Sequence, residues 1–113
     1  MSLGEQQRRF AFFVSQLIQH IYANGYEVSL GDAYRDPRLH GEYGHKIGYG
    51  RGWSNHKVRL AIDLNLFKDG EYLTKTSDHK VLGEIWEGMH PENRWGGRFN
   101  DGNHYSMFHE GHQ

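Results

Sequence analysis

Apolar residues at Phe10, Phe13, Val14, Leu17, Ile18 and Ile21 recur with the period of an amphipathic helix. Ser2 with Glu5 fits a capping box at its start, and Asn24-Gly25 fits a left-handed stop at its end. Tyr26, Val28 and Leu30 then alternate with Glu27, Ser29 and Gly31, which predicts a half-buried strand ending at Gly31-Asp32. A second alternation sets Leu60, Ile62, Leu64 and Leu66 against Ala61, Asp63, Asn65 and Phe67, and Asp69-Gly70 supplies a hairpin turn into residues 71–74. Asp63 therefore projects from the less apolar face. Thr76 or Ser77 is placed to cap a second helix whose apolar stripe is Val81, Leu82, Ile85, Trp86 and Met89, closed by Gly88 and Pro91.

Residues 95–108 read as a glycine turn, a loop and a final strand. Residues 36–53 carry Gly41, Gly44, Gly48, Gly50 and Gly52 with Tyr43 and Tyr49 and show no apolar period. Loops of this length are uncommon in compact domains and often functional, so this one is expected beside a substrate. The order helix, strand, hairpin, helix, strand predicts an α+β fold, a small antiparallel β-sheet flanked by two or more helices. The expected extent is one domain over residues 1–113.

Composition narrows the chemistry. The chain has 113 residues and a formal net charge of −1, so it offers one modest core and no global positive field for nucleic acid or an anionic membrane. The longest apolar stretch, residues 10–14, is far too short to span a bilayer. No signal-peptide pattern follows Met1, so synthesis in the cytoplasm is expected, and the composition suits a monomer. There is no cysteine, which removes disulfides and thiolate zinc sites, while nine histidines direct attention to a metal on His, Asp or Glu.

A catalytic zinc takes about three protein ligands and keeps one position open. His56 and Asp63 flank the start and middle of one predicted strand and His104 begins another, so antiparallel pairing could bring all three to one point. Asp101 sits three residues before His104, near enough to act on water without being a ligand. Arg35, just beyond the first strand, could aim a permanent cation at a developing oxyanion. A histidine-rich chain offers many such triples, and spacing alone leaves the choice open.

Ser54-Asn55-His56, Ala61-Ile62-Asp63-Leu64, Trp95-Gly96-Gly97-Arg98-Phe99 and Asp101-Gly102-Asn103-His104-Tyr105, in that order, resemble the zinc D-alanyl-D-alanine carboxypeptidase family, which also contains the bacteriophage L-alanyl-D-glutamate endopeptidases. The likeness runs from Tyr34-Arg35 to Tyr105. It implies the fold shared by these peptidases and hedgehog domains, Zn2+ as cofactor, and His56, Asp63 and His104 as its ligands. Asp101 would be the general base and Arg35 the carbonyl-binding cation. Ser54, Trp95, Gly96 and Tyr105 would be the substrate contacts, with the glycine letting a peptide approach the backbone. The implied reaction is hydrolysis of an amide bond in the peptidoglycan stem peptide by a phage or prophage endolysin, released to the wall by a holin-type route. Two departures stand out: many relatives have glycine where this chain has Arg59, and others have Glu where it has Asp101, which resembles the phage endopeptidase branch.

Other readings compete. The domain could be a D-alanyl-D-alanine carboxypeptidase or dipeptidase, or a non-catalytic zinc-stabilised wall-binding module. A metal-dependent nuclease shares the His and Asn richness but needs a basic face that this chain lacks. Individual residues also have ordinary structural roles. Arg35 could tie the loop to Asp32 or Asp36, Asp63 could pair with Arg59 or Arg35, Ser54 could cap a turn, Trp95, Gly96 and Gly97 could form a tight turn packed on the core as well as meeting a peptide, and Tyr105 and Trp53 could be core or cleft wall. His20, His40, His45, His79, His90, His109 and His112 are expected at the surface or in hydrogen bonds.

Overall fold

The structure, a computed structural model, describes residues 1–46, 52 and 54–113 and, of His40, the main chain alone. The first helix, α1, spans Leu3–Ala23. The Ser2 hydroxyl accepts from the Glu5 N–H and itself donates to the Glu5 carboxylate, and Gly25 at φ +83° turns the chain out of the helix. Its buried face is Phe10, Val14, Leu17 and Ile21, and Phe13 and Ile18, the rest of the stripe read from the sequence, are partly buried against the same core.

Strand β1 is Glu27–Leu30, β2 is Ala61–Lys68, β3 is Glu71–Leu73, β4 is Asn93–Trp95 and β5 is His104–Met107. They form one antiparallel sheet in the order β1-β2-β5-β4, with β3 pairing the far end of β2. Two further helices, α2 at Pro37–His40 and α3 at Lys80–Met89, complete the α+β architecture. The β2–β3 hairpin turns on Asp69 and Gly70, at φ +52° and +78°, the two positive angles that Asp-Gly tolerates and that match strand twist.

Along β2 the side chains divide as the alternation requires. Leu60, Ile62, Leu64 and Leu66 enter one core with α1, with Leu82 and Trp86 of α3, and with Trp95, Tyr105 and Met107. Trp86 is fully buried, and its indole N–H donates to the main-chain oxygens of Arg94 and Ser106, both at 3.0 Å, so one ring ties β4 to β5. Asp63, out of phase with the leucines, sits on the opposite face of the sheet.

Four local expectations change. Leu30 is 67 % exposed although it pairs with buried Leu64, because β1 is the outermost strand and its end lies at the margin of the core. The second helix is entered through a 3-10 turn, Thr76–His79, in which the Asp78 carboxylate accepts from the Lys75 N–H. Neither Thr76 nor Ser77 caps α3. Val81 is exposed, and Gly83 faces inward instead, against Trp95. Strand β4 is too short, three residues without a β-branched side chain, to show an alternation. Within residues 36–53, Asp36 caps the short α2 through the Arg38 N–H. Tyr49, Trp53 and the closing of this loop on a substrate lie outside the described residues.

Candidate metal centre

Pairing of β2 with β5 places Asp63 directly opposite His104. His56 comes from a 3-10 turn, Asn55–Val58, that precedes β2 and ends at Arg59 in the left-handed region, φ +57°. Ser54 caps this turn, its hydroxyl oxygen accepting from the His56 N–H at 3.3 Å and from Arg35 Nη1 at 2.8 Å. The Arg35 N–H in turn donates to the His56 carbonyl at 3.2 Å, so His56 is clasped on both sides of its own residue. On the other edge of β2, Gly31 and Asp32 continue the ladder with Asp63, donating from the Gly31 N–H and accepting at the Asp32 carbonyl. A Cβ at Gly31 would stand 3.0 Å from that of Asp63.

One ligand atom from each of His56, Asp63 and His104 lies within 4.8 Å of the others. Asp63 Oδ1 is 3.3 Å from His56 Nε2 and 3.6 Å from His104 Nδ1. His56 is 1 % exposed, and neither of its ring nitrogens has a hydrogen-bond partner. A buried imidazole left that way costs about 1–3 kcal/mol unless something else satisfies it. Donors around one tetrahedral zinc at ~2.0–2.1 Å stand about 3.3–3.4 Å apart. The two separations from Asp63 and the donor set of two nitrogens and a carboxylate suit a zinc-type cation, for which three protein ligands would leave one tetrahedral position open. Burial works to raise the Asp63 carboxyl pKa, but the facing His104 and His56 rings outweigh it and hold the group well below the usual carboxylate range.

Asp101 Oδ2 lies 4.0 Å from His104 Nδ1, and the Asp101 side chain is 48 % exposed, open to solvent beside the cluster. It follows a third 3-10 turn, Gly96–Phe99, the second beside the cluster, which ends at Asn100 with φ +62°. Arg35 donates from Nε to Asp32 at 3.3 Å as well as to Ser54, and Asp36 takes Arg38 instead. The Arg59 guanidinium lies over the Tyr34 ring, 4.0 Å from its centre. The backbone therefore passes Arg59 by the path that glycine allows, with an arginine stacked outside it.

The four expected substrate contacts look different in place. Tyr105 is fully buried, its hydroxyl 2.7 Å from His79 Nδ1, so it belongs to the core and has no surface to offer a substrate. Trp95 is buried with its indole N–H on the Gly102 carbonyl. A Cβ on Gly83 or Gly97 would fall 2.1 or 2.2 Å from its ring atoms. Gly96 is required by the protein itself: a Cβ there would meet the Asp101 carbonyl oxygen at 2.3 Å and His104 Cβ at 2.6 Å. Ser54, 5 % exposed, caps the His56 turn.

Sequence reasoning gave Asn55 no role of its own and, after Phe108, only ordinary surface or hydrogen-bonding places to His109 and His112. Asn55 is fully buried beside His56 and donates to the carbonyls of Met107 and His112 at 2.9 and 3.0 Å. The Gln113 main-chain oxygen is 2.8 Å from His104 Nε2. The only local signal for the tail was its Glu110-Gly111 pair, a turn signature without chemistry of its own.

A family model described as D-alanyl-D-alanine carboxypeptidase matches residues 48–107. That span includes His56, Asp63, Asp101 and His104. A search of curated proteins finds no match.

Proposed function

Because the chain belongs to the D-alanyl-D-alanine carboxypeptidase family of peptidases, we propose that it is a zinc-dependent peptidoglycan peptidase, an L-alanyl-D-glutamate endopeptidase that cuts the stem peptide. The observation that carries this reading is the buried His56 ring, with no hydrogen bond on either nitrogen, facing Asp63 and His104. His56, Asp63 and His104 would hold the ion. A bound zinc would supply Lewis acidity, polarising the scissile carbonyl and making water nucleophilic near neutral pH.

The remaining work falls to side chains of the chain itself. Asp101, open to solvent beside His104, is suited to take a proton from the attacking water and return it to the leaving amine as the carbon–nitrogen bond breaks. Arg35, held by Asp32 and Ser54, carries a permanent cation whose side chain is largely shielded, so its charge is screened less than at an open surface. The endopeptidase subtype rests on Asp101-Gly102-Asn103-His104, where an aspartate stands in place of a glutamate. We read residues 1–113 as one catalytic domain that acts as a monomer on the wall after holin-type release. No described helix is long and apolar enough to cross a membrane.

The family description itself favours a second reading, D-alanyl-D-alanine carboxypeptidase. Mass spectrometry of fragments released from peptidoglycan by zinc-loaded and chelated protein separates the two. Stem peptides beginning at D-glutamate, formed only with zinc, are the expected result. Released D-alanine would transfer the protein to the carboxypeptidase branch, and intact wall with zinc bound would remove the catalytic claim.

A further inference from the structure

After β5 the chain doubles back to the candidate centre. His109 and His112 exchange both main-chain hydrogen bonds at 2.8 Å across a two-residue turn, Glu110 at φ +46° and Gly111 at φ +81°. The Tyr43 ring lies against both histidines, at 6.0 and 5.9 Å between ring centres, and its hydroxyl donates to Asn55 Oδ1 at 2.9 Å. Asn55 holds the His112 carbonyl, and Gln6 of α1 reaches over with Nε2 to the Phe108 carbonyl at 2.7 Å. Held this way from three elements, the tail delivers the Gln113 main-chain oxygen to His104 Nε2 at 2.8 Å.

That contact decides where a proton sits. A main-chain oxygen has only lone pairs, so the hydrogen between it and the ring belongs to Nε2, and a neutral imidazole then carries its own lone pair on Nδ1. Nδ1 is the atom 3.6 Å from Asp63 Oδ1. We propose that residues 109–113 are a positioning strap for the metal: the Gln113 main-chain oxygen locks His104 in the Nε2–H tautomer and aims Nδ1 at the ion. Gln113 acts through His104 and touches no substrate. The strap rests on the reading of His104 as a ligand. It also couples the two histidines, since Asn55, which holds the strap at His112, is the residue next to His56. Partners of this kind outside the ligand set typically control metal affinity about 10–100-fold.

The test uses Gly111, where a Cβ would meet nothing within 4 Å, so a side chain acts there through the backbone angle alone. Asparagine tolerates a positive φ and valine does not. The tautomer of His104 would be read from its ring nitrogen-15 shifts in metal-free protein at mildly alkaline pH, and zinc affinity from competition with a chelator. Wild type and Gly111→Asn are expected to show the Nε2–H tautomer and equal affinity. Gly111→Val, and a variant lacking residues 109–113, are expected to show mixed tautomers and affinity lower by about 10–100-fold, with cooperative melting retained. An Nδ1–H tautomer in wild type, or unchanged affinity in both disrupted variants, overturns the proposal. Because the tautomer is read without metal, a wild type that keeps Nε2–H but binds no zinc would uphold the tautomer lock and count against the peptidase reading instead.

Discussion

The two 3-10 turns that carry the candidate centre look alike and are fixed by opposite means. Asn55–Val58 and Gly96–Phe99 each end on a non-glycine residue in the left-handed region, Arg59 and Asn100, whose N–H donates to two carbonyls of its own turn. The first turn holds His56 within itself, and polar side chains fix it: the Ser54 cap, the Arg35 clasp and the buried Asn55 amide. The second precedes Asp101 and His104, and missing side chains fix it, with Gly96 seated on the Asp101 carbonyl and Gly97 on the Trp95 ring. Hydrogen bonds can be lost one at a time, each for about 1 kcal/mol. Close backbone contact admits no extra atom, so damage is graded in the first turn and abrupt in the second.

The largest expected effect is therefore Gly96→Ala. Its Cβ would overlap a backbone oxygen that cannot rotate away, and overpacking of that kind costs typically about 1–3 kcal/mol, here at the upper end. Urea unfolding should show the loss, together with weaker zinc binding because His104 and Asp101 must both move. An alanine variant within about 0.5 kcal/mol of wild type would mean that the second turn shifts freely, and the contrast between the turns would dissolve. Ser54→Ala tests the other side. Loss of a helical cap costs about 1 kcal/mol; the His56 N–H loses its Ser54 acceptor while Arg35 keeps Asp32 and the His56 carbonyl, so a cooperative fold with that smaller loss is expected.

This contrast explains what the sequence disclosed. Helix α1, the β2 alternation and the Asp-Gly hairpin were legible because each repeats a period or a turn signature over several residues. The cluster of His56, Asp63 and His104 was legible through strand placement and through resemblance to a peptidase family. The Gly96 contact stayed between two readings, since a glycine gives the same letter whether it admits a substrate or its own backbone. The tail was invisible for a related reason. Its role is played by a main-chain oxygen at Gln113, an atom every residue has. Of the two readings of Tyr105, substrate contact and core, the structure gives the core, because an aromatic beside a ligand in sequence points to the opposite face of the strand.

The second turn is also braced by a titrating base outside it, His79. Thr76 Oγ1 accepts the Gly102 N–H at 3.2 Å, and His79, buried at the end of the same short turn, holds the Tyr105 hydroxyl. Burial pushes the His79 pKa below its ordinary value, with Asp78 opposing it. The unfolded chain then takes up the proton first, so His79's contribution is complete above about pH 6.5 and is lost as pH falls from there through the depressed folded value. Asp63, also held below its ordinary value, keeps its contribution until much stronger acid. Metal-free wild type should therefore lose stability in two windows, and His79→Gln should remove the upper one while leaving the lower. Identical acid profiles for the two proteins would show that the second turn is not supported through His79.

The smallest effect probes the feature the turns share. A left-handed conformation costs an ordinary residue about 1 kcal/mol relative to glycine. Arg59 offsets part of this by lying over Tyr34, and an exposed cation–π contact contributes about 0.5–1 kcal/mol. Arg59→Gly removes the strain and the stacking together and loosens the unfolded chain, which costs about 0.4–1 kcal/mol, so the net change should stay within about 0.5 kcal/mol. Arg59→Ala keeps the strain but loses the stacking, and should be the least stable of the three by thermal melting. If alanine matches arginine, the ring contact contributes nothing and strain alone distinguishes the residues. If glycine exceeds arginine by more than about 1 kcal/mol, the first turn is held against its own backbone by Ser54 and Arg35, and its graded response to mutation would trace to those two side chains alone.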